Sequence, residues 1–248
     1  MKNEIINSLI KILPKGVVYR IEKPWREKLN SINISYGQNG EDILINRLFN
    51  QKAKGFFVDI GAHHPIRFSN TYSLYQKGWR GINIDAMPGS MRAFQSQRSE
   101  DINLEIGVSR KDQVLTFYVF NEPALNTFSR EEAEKKDGFR DFKIIDRIEV
   151  KTKPLAAILD QHLPPGQSTI DYLNIDAEGL DMEVLNSNNW DKYSPAVISV
   201  ESGNITSSIE DAEVYGYLKK LDYELVSVLY NTLIFTKNGS GTHSVIRI

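Results

Sequence analysis

The sequence predicts an α/β fold in which a mostly parallel sheet carries helices on both faces and ends in an antiparallel hairpin. Three observations carry this prediction. Strand-like and helix-like apolar periods alternate from Phe56 onward. A glycine turn and an acid close the first two strands, at Gly61 and Asp85. Two alternating segments near the end, YELVSVL and NTLIFTK, lie so close together that they must pair as a hairpin.

The elements follow in order. Ile5, Ile6, Leu9, Ile10 and Leu13 form an apolar stripe at helical spacing beside lysines. This helix packs on its own domain or on a homodimer mate, with peripheral membrane contact as the alternative. SYGQNGEDILINRLFN (Ser35 to Asn50) reads as a second helix, with Ile43, Leu44, Leu48 and Phe49 on one face and Asn39, Glu41 and Asp42 at its start, where acids suit the helix dipole.

Phe56 to Ile60 is a buried strand, Asn70 to Lys77 a helix, Gly81 to Asp85 a strand and Gly89 to Arg98 a helix. INLEIGVS is the next strand, followed by VLTFYVF. The charged stretch 121–146, with SREEAEKKDGFRD, reads as an inserted lid or recognition segment, or as a solvated surface helix. IEVKT is a short strand, PLAAILDQ a helix opened by proline, and TIDYLNID a buried strand after the PPGQ loop. A helix over Glu178 to Asn186, the strand PAVISVES and a helix over Ile209 to Leu221 lead into the hairpin. The expected organisation is an N-terminal extension, 1–34, a single domain, 35–240, and a tail, 241–248.

Composition narrows the function. The 248 residues are 41% hydrophobic and 25% charged, which is ordinary for a globular chain. A net charge of −2 gives no basic face for nucleic acid. There is no cysteine, which excludes disulfides, thiolate metal sites and cysteine nucleophiles and is compatible with a reducing cytoplasm, the expected location. No apolar run reaches the roughly 18 to 20 residues of a membrane span.

FFVDIGAHHP opens like a nucleotide site, but Gly61 stands alone where a pyrophosphate turn has several glycines. Ala62, His63, His64 and Pro65 fill the remaining places, and proline has no N–H to donate. S-adenosylmethionine needs something else: an acid for its ribose hydroxyls, and carboxylates and carbonyls near its ammonium and sulfonium. Asp59 ends the first strand and suits the ammonium. Asp85 lies 24 residues after Gly61, near the spacing of roughly 20 at which an acid meets a ribose.

Four segments in this order, SYGQNGEDILINRLF, FFVDIGAHHP, SNTYSLYQKGWRGINIDAMP and LNIDAEGLDMEVL, resemble the FkbM family of S-adenosylmethionine-dependent methyltransferases over about Ser35 to Lys237. The resemblance implies a class I methyltransferase, Rossmann-like fold with a seven-stranded sheet, and methyl transfer to a hydroxyl of a saccharide or a polyketide-type product. Bacterial surface polysaccharide or glycoconjugate biosynthesis is the expected setting, and a nucleotide-binding protein of another class is the alternative. The resemblance also implies that Asp59, Gly61 and Ala62 form the cofactor turn, with Asp85 and Ala86 at the ribose. Glu105, Ile106 and Gly107 then frame adenine, and Gln38 and Glu41 belong to a segment near the cofactor. The pair His63-His64 departs from the family pattern.

Methyl transfer needs the acceptor oxygen, the methyl and the sulfur in line, and a group to take the hydroxyl proton. Asp176, which ends its strand and also counts among the cofactor-binding residues, and Glu178, which begins the next helix, lie beside the expected methyl position, where they bind acceptor hydroxyls, act as base, hold a divalent cation, or cap the next helix. A carboxylate near pKa 4 is a feeble base, so His64 or His63 fits the proton task better. If Mg²⁺ takes part, which is not the favoured reading, Asp176, Glu178 and Glu201 are its ligands. Tyr72, Trp79, Tyr118, Phe120 and Phe128 supply either a sugar-stacking platform or core.

Overall fold

A computed structural model of the protein describes residues 33–49, 52–202, 209 and 212–240. The apolar stripe at Ile5 to Leu13 and the tail 241–248 lie outside the described residues. The chain separates into two units, 1–34 and 35–248, and only the second falls largely within them.

The first sheet has seven strands in the order β3-β2-β1-β7-β8-β10-β9. These are β1 (Phe56–Ile60), β2 (Arg80–Asp85), β3 (Ile102–Glu105), β7 (Tyr172–Ile175), β8 (Val197–Glu201), β9 (Tyr223–Leu229) and β10 (Thr232–Lys237). The first five run parallel, and β10 inserts antiparallel between β8 and β9. The hairpin loop is only Tyr230 and Asn231, with Tyr230 at φ 56°, as a tight hairpin turn demands.

Alternation along each strand builds two buried layers. Val58, Ile60, Ile82, Ile84, Leu173, Ile175, Ile198 and Val200 pack with helices α5 (Leu155–His162), α6 (Asp181–Asn186) and α7 (Glu213–Lys220). On the opposite face Phe57, Tyr172, Val197 and Ile234 meet α1 (Glu41–Leu48), α2 (Tyr72–Gln76) and Trp79. Each fully buried large side chain contributes about 1.5–3 kcal/mol. α1 begins at Glu41 rather than Ser35, and its fully buried apolar residue is Ile45, while Ile43 is half-buried. Trp79 and Phe120 are core, not platform.

A polar row crosses this sheet. Asn103, Asn83, Asp59, Asn174 and Ser199 are register partners on five adjacent strands. Asn83 donates to Asn103 at 2.8 Å, Asn174 to Asp59 at 2.9 Å, and Ser199 to Asn174 at 2.5 Å. Buried polar groups are mostly paired, and these bonds hold β3 against β2, and β1, β7 and β8 against one another, just below the carboxyl ends.

The segment expected as one strand, INLEIGVS, breaks at Ile106. Residues Ile102–Glu105 stay in the first sheet, while β4 (Gly107–Val108) joins a second, three-stranded sheet of order β4-β6-β5. Its other strands are β5 (Gln113–Phe120) and β6 (Ile144–Lys153), so the short strand expected at IEVKT is the latter half of a ten-residue strand. Between them lie the 3₁₀ turn Pro123–Leu125, helix α4 (Arg130–Lys136) and the connection into β6; helix α3 (Met91–Gln97) links β2 and β3. The Ser129 hydroxyl accepts the Glu132 N–H at 3.2 Å, a serine cap three residues ahead of a glutamate.

Candidate functional site

Open parallel sheets gather ligands at the carboxyl ends of their strands. A cavity of about 410 Å³ lies there, within the range of roughly 300–1,000 Å³ typical of small-molecule sites. Its floor is Ile60 and Gly61 after β1, Asp85 to Met87 after β2, and Ile106 to Val108 at the sheet-to-sheet break. Asp176 to Glu178 and the loop His63, His64, Arg67 and Phe68 also line it, as do Phe117, Pro123, Ala124, Asn126 and Phe128 from the second sheet and its insertion, with Phe117 and Phe128 packed beside Ala86 and Met87.

Gly61 has φ 76°, and a Cβ built there would lie 1.8 Å from the carbonyl oxygen of Asp176. The turn therefore requires glycine both for its backbone conformation and for its close crossing of the β7 end. The following donors are all engaged. Gly61 and Ala62 N–H both donate to Ile84 O, His63 N–H donates to Asp85 at 3.0 Å, and His64 N–H to Ala62 O at 2.5 Å. With Pro65 next, no run of free N–H groups remains for a pyrophosphate.

Asp85 lines the cavity and accepts from His63 N–H on one oxygen and from Met87 N–H at 2.8 Å on the other. It thus ties the two loops that border it, and each oxygen keeps a second lone pair for a ligand.

Asp59 does not line the cavity. It is buried, accepting from Thr71 at 2.6 Å and Asn174 at 2.9 Å, and burial pushes its carboxyl above the usual range. The expected contact with a ligand ammonium is replaced by a structural one, because the strand alternation that turns Ile60 to the cavity turns Asp59 to the opposite face. Ala62 packs with Met91 and Phe94. Glu105 is exposed and accepts the Met91 N–H at 3.2 Å, so Ile106 and Gly107 line the cavity and Glu105 does not.

The segment before β1 divides similarly. Gln38 lines the cavity, whereas Glu41 and Asp42 are almost fully buried. Glu41 accepts from the Asn39 N–H and side-chain amide, each at 2.9 Å, and Asp42 from Ser35 and the Tyr36 N–H. These carboxylates shape the entry to α1 and are not presented to a ligand.

The histidines part company. His64 Nδ1 accepts the N–H groups of Ile66, at 3.1 Å, and Arg67, at 2.9 Å. In the neutral ring the proton then sits on Nε2, so neither nitrogen is free to take another. His64 organises its loop and is excluded as the base by this pairing. His63, at φ 51°, has no side-chain hydrogen bond among the described residues and stacks beside Phe68, ring centroids 6.4 Å apart. Burial holds its pKa below the ordinary value, with Asp85 pulling the other way.

The turn after β7 gathers acids. Ligand oxygens of Asp176, Glu178 and Glu201 lie within 4.8 Å of one another. Asp176 Oδ1 is buried without a hydrogen-bond partner, and burial together with the Glu201 charge pushes its carboxyl well above the usual range. Glu178 adopts φ 46° and its carboxylate accepts from the Lys136 ammonium at 2.5 Å; its carbonyl accepts the Thr127 hydroxyl at 2.5 Å. Burial raises Glu178 while Lys136 opposes the rise. Asp181, not Asp176, satisfies the turn, accepting the Ala177 N–H at 2.9 Å and the Gly179 N–H at 3.3 Å. The 121–146 segment therefore sits on this turn through Thr127 and Lys136 as a roof.

Sequence reasoning missed Arg67, Phe68, Met87, Ser90 and Phe117; Pro123, Ala124 and Asn126 fall in the 121–146 segment it marked as a lid or recognition insertion, without naming them. The adjacent His63-His64 departure pointed toward the first two, and Phe128 was singled out only as one aromatic among several.

Among solved structures, a TehB-like SAM-dependent methyltransferase from Corynebacterium glutamicum ATCC 13032 Kitasato is similar at 11% identity and TM-score 0.39, covering 90% of this chain and 100% of that one. A methyltransferase from Geobacter sulfurreducens is similar at 15% identity and TM-score 0.40, covering 94% and 96%. No curated protein sequence matches. The methyltransferase FkbM domain matches residues 59–225, from the end of β1 into β9 and across every strand end that borders the cavity, and the chain therefore belongs to the FkbM methyltransferase family.

Proposed function

We propose that the protein transfers the methyl group of S-adenosylmethionine to a hydroxyl of a saccharide, in cytoplasmic steps of surface polysaccharide or glycoconjugate biosynthesis. The observation that carries the donor is the cavity itself. Its turn has engaged N–H groups and no phosphate cradle, yet it holds Asp85 at the β2 end and acids after β7. That combination suits an adenosine joined to a sulfonium cation and disfavours a dinucleotide.

Bound S-adenosylmethionine supplies an electrophilic methyl carbon whose sulfur departs as a neutral thioether. As the acceptor C–O bond forms, the C–S bond breaks with its electron pair on sulfur, and the hydroxyl proton passes to the protein. His63 is the base this reading selects, since its ring makes no side-chain hydrogen bond among the described residues and burial, the larger influence, lowers its pKa and favours the neutral form. Gln38 and Asp85 hold the donor, and Ile106, Gly107, Phe117 and Phe128 enclose its apolar end.

A second reading of the proton step is favoured by the Asp176, Glu178 and Glu201 cluster. Three hard oxygen donors at this separation suit a divalent cation such as Mg²⁺, which would relieve their repulsion, partner Asp176 Oδ1 and acidify an acceptor hydroxyl.

The test is calorimetric titration of S-adenosylmethionine into EDTA-treated protein and its Asp85→Asn variant, with NAD as control. Micromolar binding that Asp85→Asn weakens, with no heat from NAD, is expected. Saccharide and polyketide-type alcohols are then compared as acceptors with and without Mg²⁺. Folded protein that binds no S-adenosylmethionine would refute the reading.

A further inference from the structure

The cavity has a charge imbalance. Its lining carboxylates are Asp85, Asp176 and Glu178, its two histidines are held toward neutrality by burial, and its one lysine or arginine, among the described residues, is Arg67. The Arg67 guanidinium lies 4.2 Å above the Phe68 ring, whose backbone is held at φ 58°, a conformation bulky residues rarely adopt. The loop that presents it is fixed by the His64 Nδ1 acceptor, which takes the Arg67 N–H itself. Thus His64, excluded as base, has a defined task in aiming Arg67.

Among the described residues the Arg67 guanidinium has one ion-pair partner, and a weak one. Its nearest acid, Glu122 across the rim, is 3.6 Å away, and both side chains are substantially exposed. Such a pair is weak and readily exchanged for a better acceptor. A planar guanidinium stacked on a ring keeps its donor fork available for a carboxylate.

We propose that Arg67 is the carboxylate-binding residue of this cavity. The inference rests on the methyl-donor reading above and deepens it. The carboxylate comes from one of two sources, the amino-acid tail of the donor or an acidic substituent of the acceptor, and both present the same chemistry to the guanidinium.

The experiment uses the whole protein and three probes. S-adenosylhomocysteine carries the amino-acid tail, 5′-methylthioadenosine lacks it, and the methyl glycoside of glucuronic acid stands for an acidic acceptor. Each is titrated into wild type, Arg67→Met and Glu122→Gln, the glycoside into protein already saturated with S-adenosylhomocysteine. If the donor tail is bound, Arg67→Met weakens S-adenosylhomocysteine about tenfold or more and leaves 5′-methylthioadenosine unchanged. Glu122→Gln, which removes the competing acid, then tightens S-adenosylhomocysteine. If the acceptor is bound, both nucleosides are unchanged and the glycoside loses affinity in Arg67→Met. Equal weakening of both nucleosides, or no change with any probe, overturns the assignment. Wild type that binds neither nucleoside overturns the donor reading itself and the assignment with it, an outcome distinct from the others because it needs no variant.

Discussion

Replacing Gly61 by alanine tests the close crossing of β1 and β7 on which the cavity depends. Two costs add. A residue with a Cβ at φ 76° loses about 1–2 kcal/mol in the left-handed region. The Cβ also meets the Asp176 carbonyl oxygen at 1.8 Å, so the β7 end must shift by more than an ångström, an overpacking cost of about 1–3 kcal/mol. Gly78→Ala supplies the control, because Gly78 has φ 92° with nothing within 4 Å of the added Cβ and so incurs the first cost alone. The entropy gained by making the unfolded chain stiffer is the same for both and cancels in the comparison. Urea unfolding should give Gly61→Ala a loss of about 2–5 kcal/mol, larger than that of Gly78→Ala by about 1–3 kcal/mol, with a drop in melting temperature of roughly 2–4 °C per kcal/mol. S-adenosylmethionine binding should be lost in Gly61→Ala and kept in Gly78→Ala. Equal stabilities for the two variants, with unchanged m-values, would show that the carbonyl does not crowd Gly61 and would refute the packing argument.

Two further outcomes follow from the buried titrating groups. Burial raises Asp181 to about 7 from roughly 3.9 in the unfolded chain, so its contribution is fully present below pH 4 and lost as pH rises through 7. Over that interval this amounts to roughly 4 kcal/mol as an upper figure, with Asp59 and Asp176 acting in the same direction; Asp181→Asn should flatten the stability curve between pH 4 and 8, and parallel curves for variant and wild type would refute the assignment. His63 should titrate below 6.5 by ¹³C-imidazole NMR, and because the Asp85 charge raises its pKa, Asp85→Asn should lower it further; an unchanged or raised value would place the two groups out of electrostatic contact.

The sequence by itself determined the order of most elements and which strand ends meet at one edge of the sheet. Short, mostly apolar runs separate β1, β2, β7 and β8 from the helices between them, because a strand buried on both faces is largely apolar, here interrupted only by the polar row through Asp59, Asn83, Asn174 and Ser199. The lone Gly61, the acid at Asp85 and the NIDAEG turn mark three strand ends, and a parallel sheet must bring those ends to one edge. The methyltransferase assignment was also legible, in four motifs kept in order.

Tertiary structure decided what each side chain at that edge can do. Asp59 and Ile60 are neighbours in sequence, yet strand alternation sends one to a buried polar row and the other to the cavity. His63 and His64 read alike until the backbone N–H groups of Ile66 and Arg67 claim one of them. The break at Ile106, which moves β4 into a second sheet, brings Phe117 and Phe128 to the cavity beside Ala86 and Met87; no local period signals it, since both sheets prefer the same residues. Hydrogen-bond partners and neighbouring charges come from segments as distant as Thr127 and Glu178, and the folded chain alone brings these together.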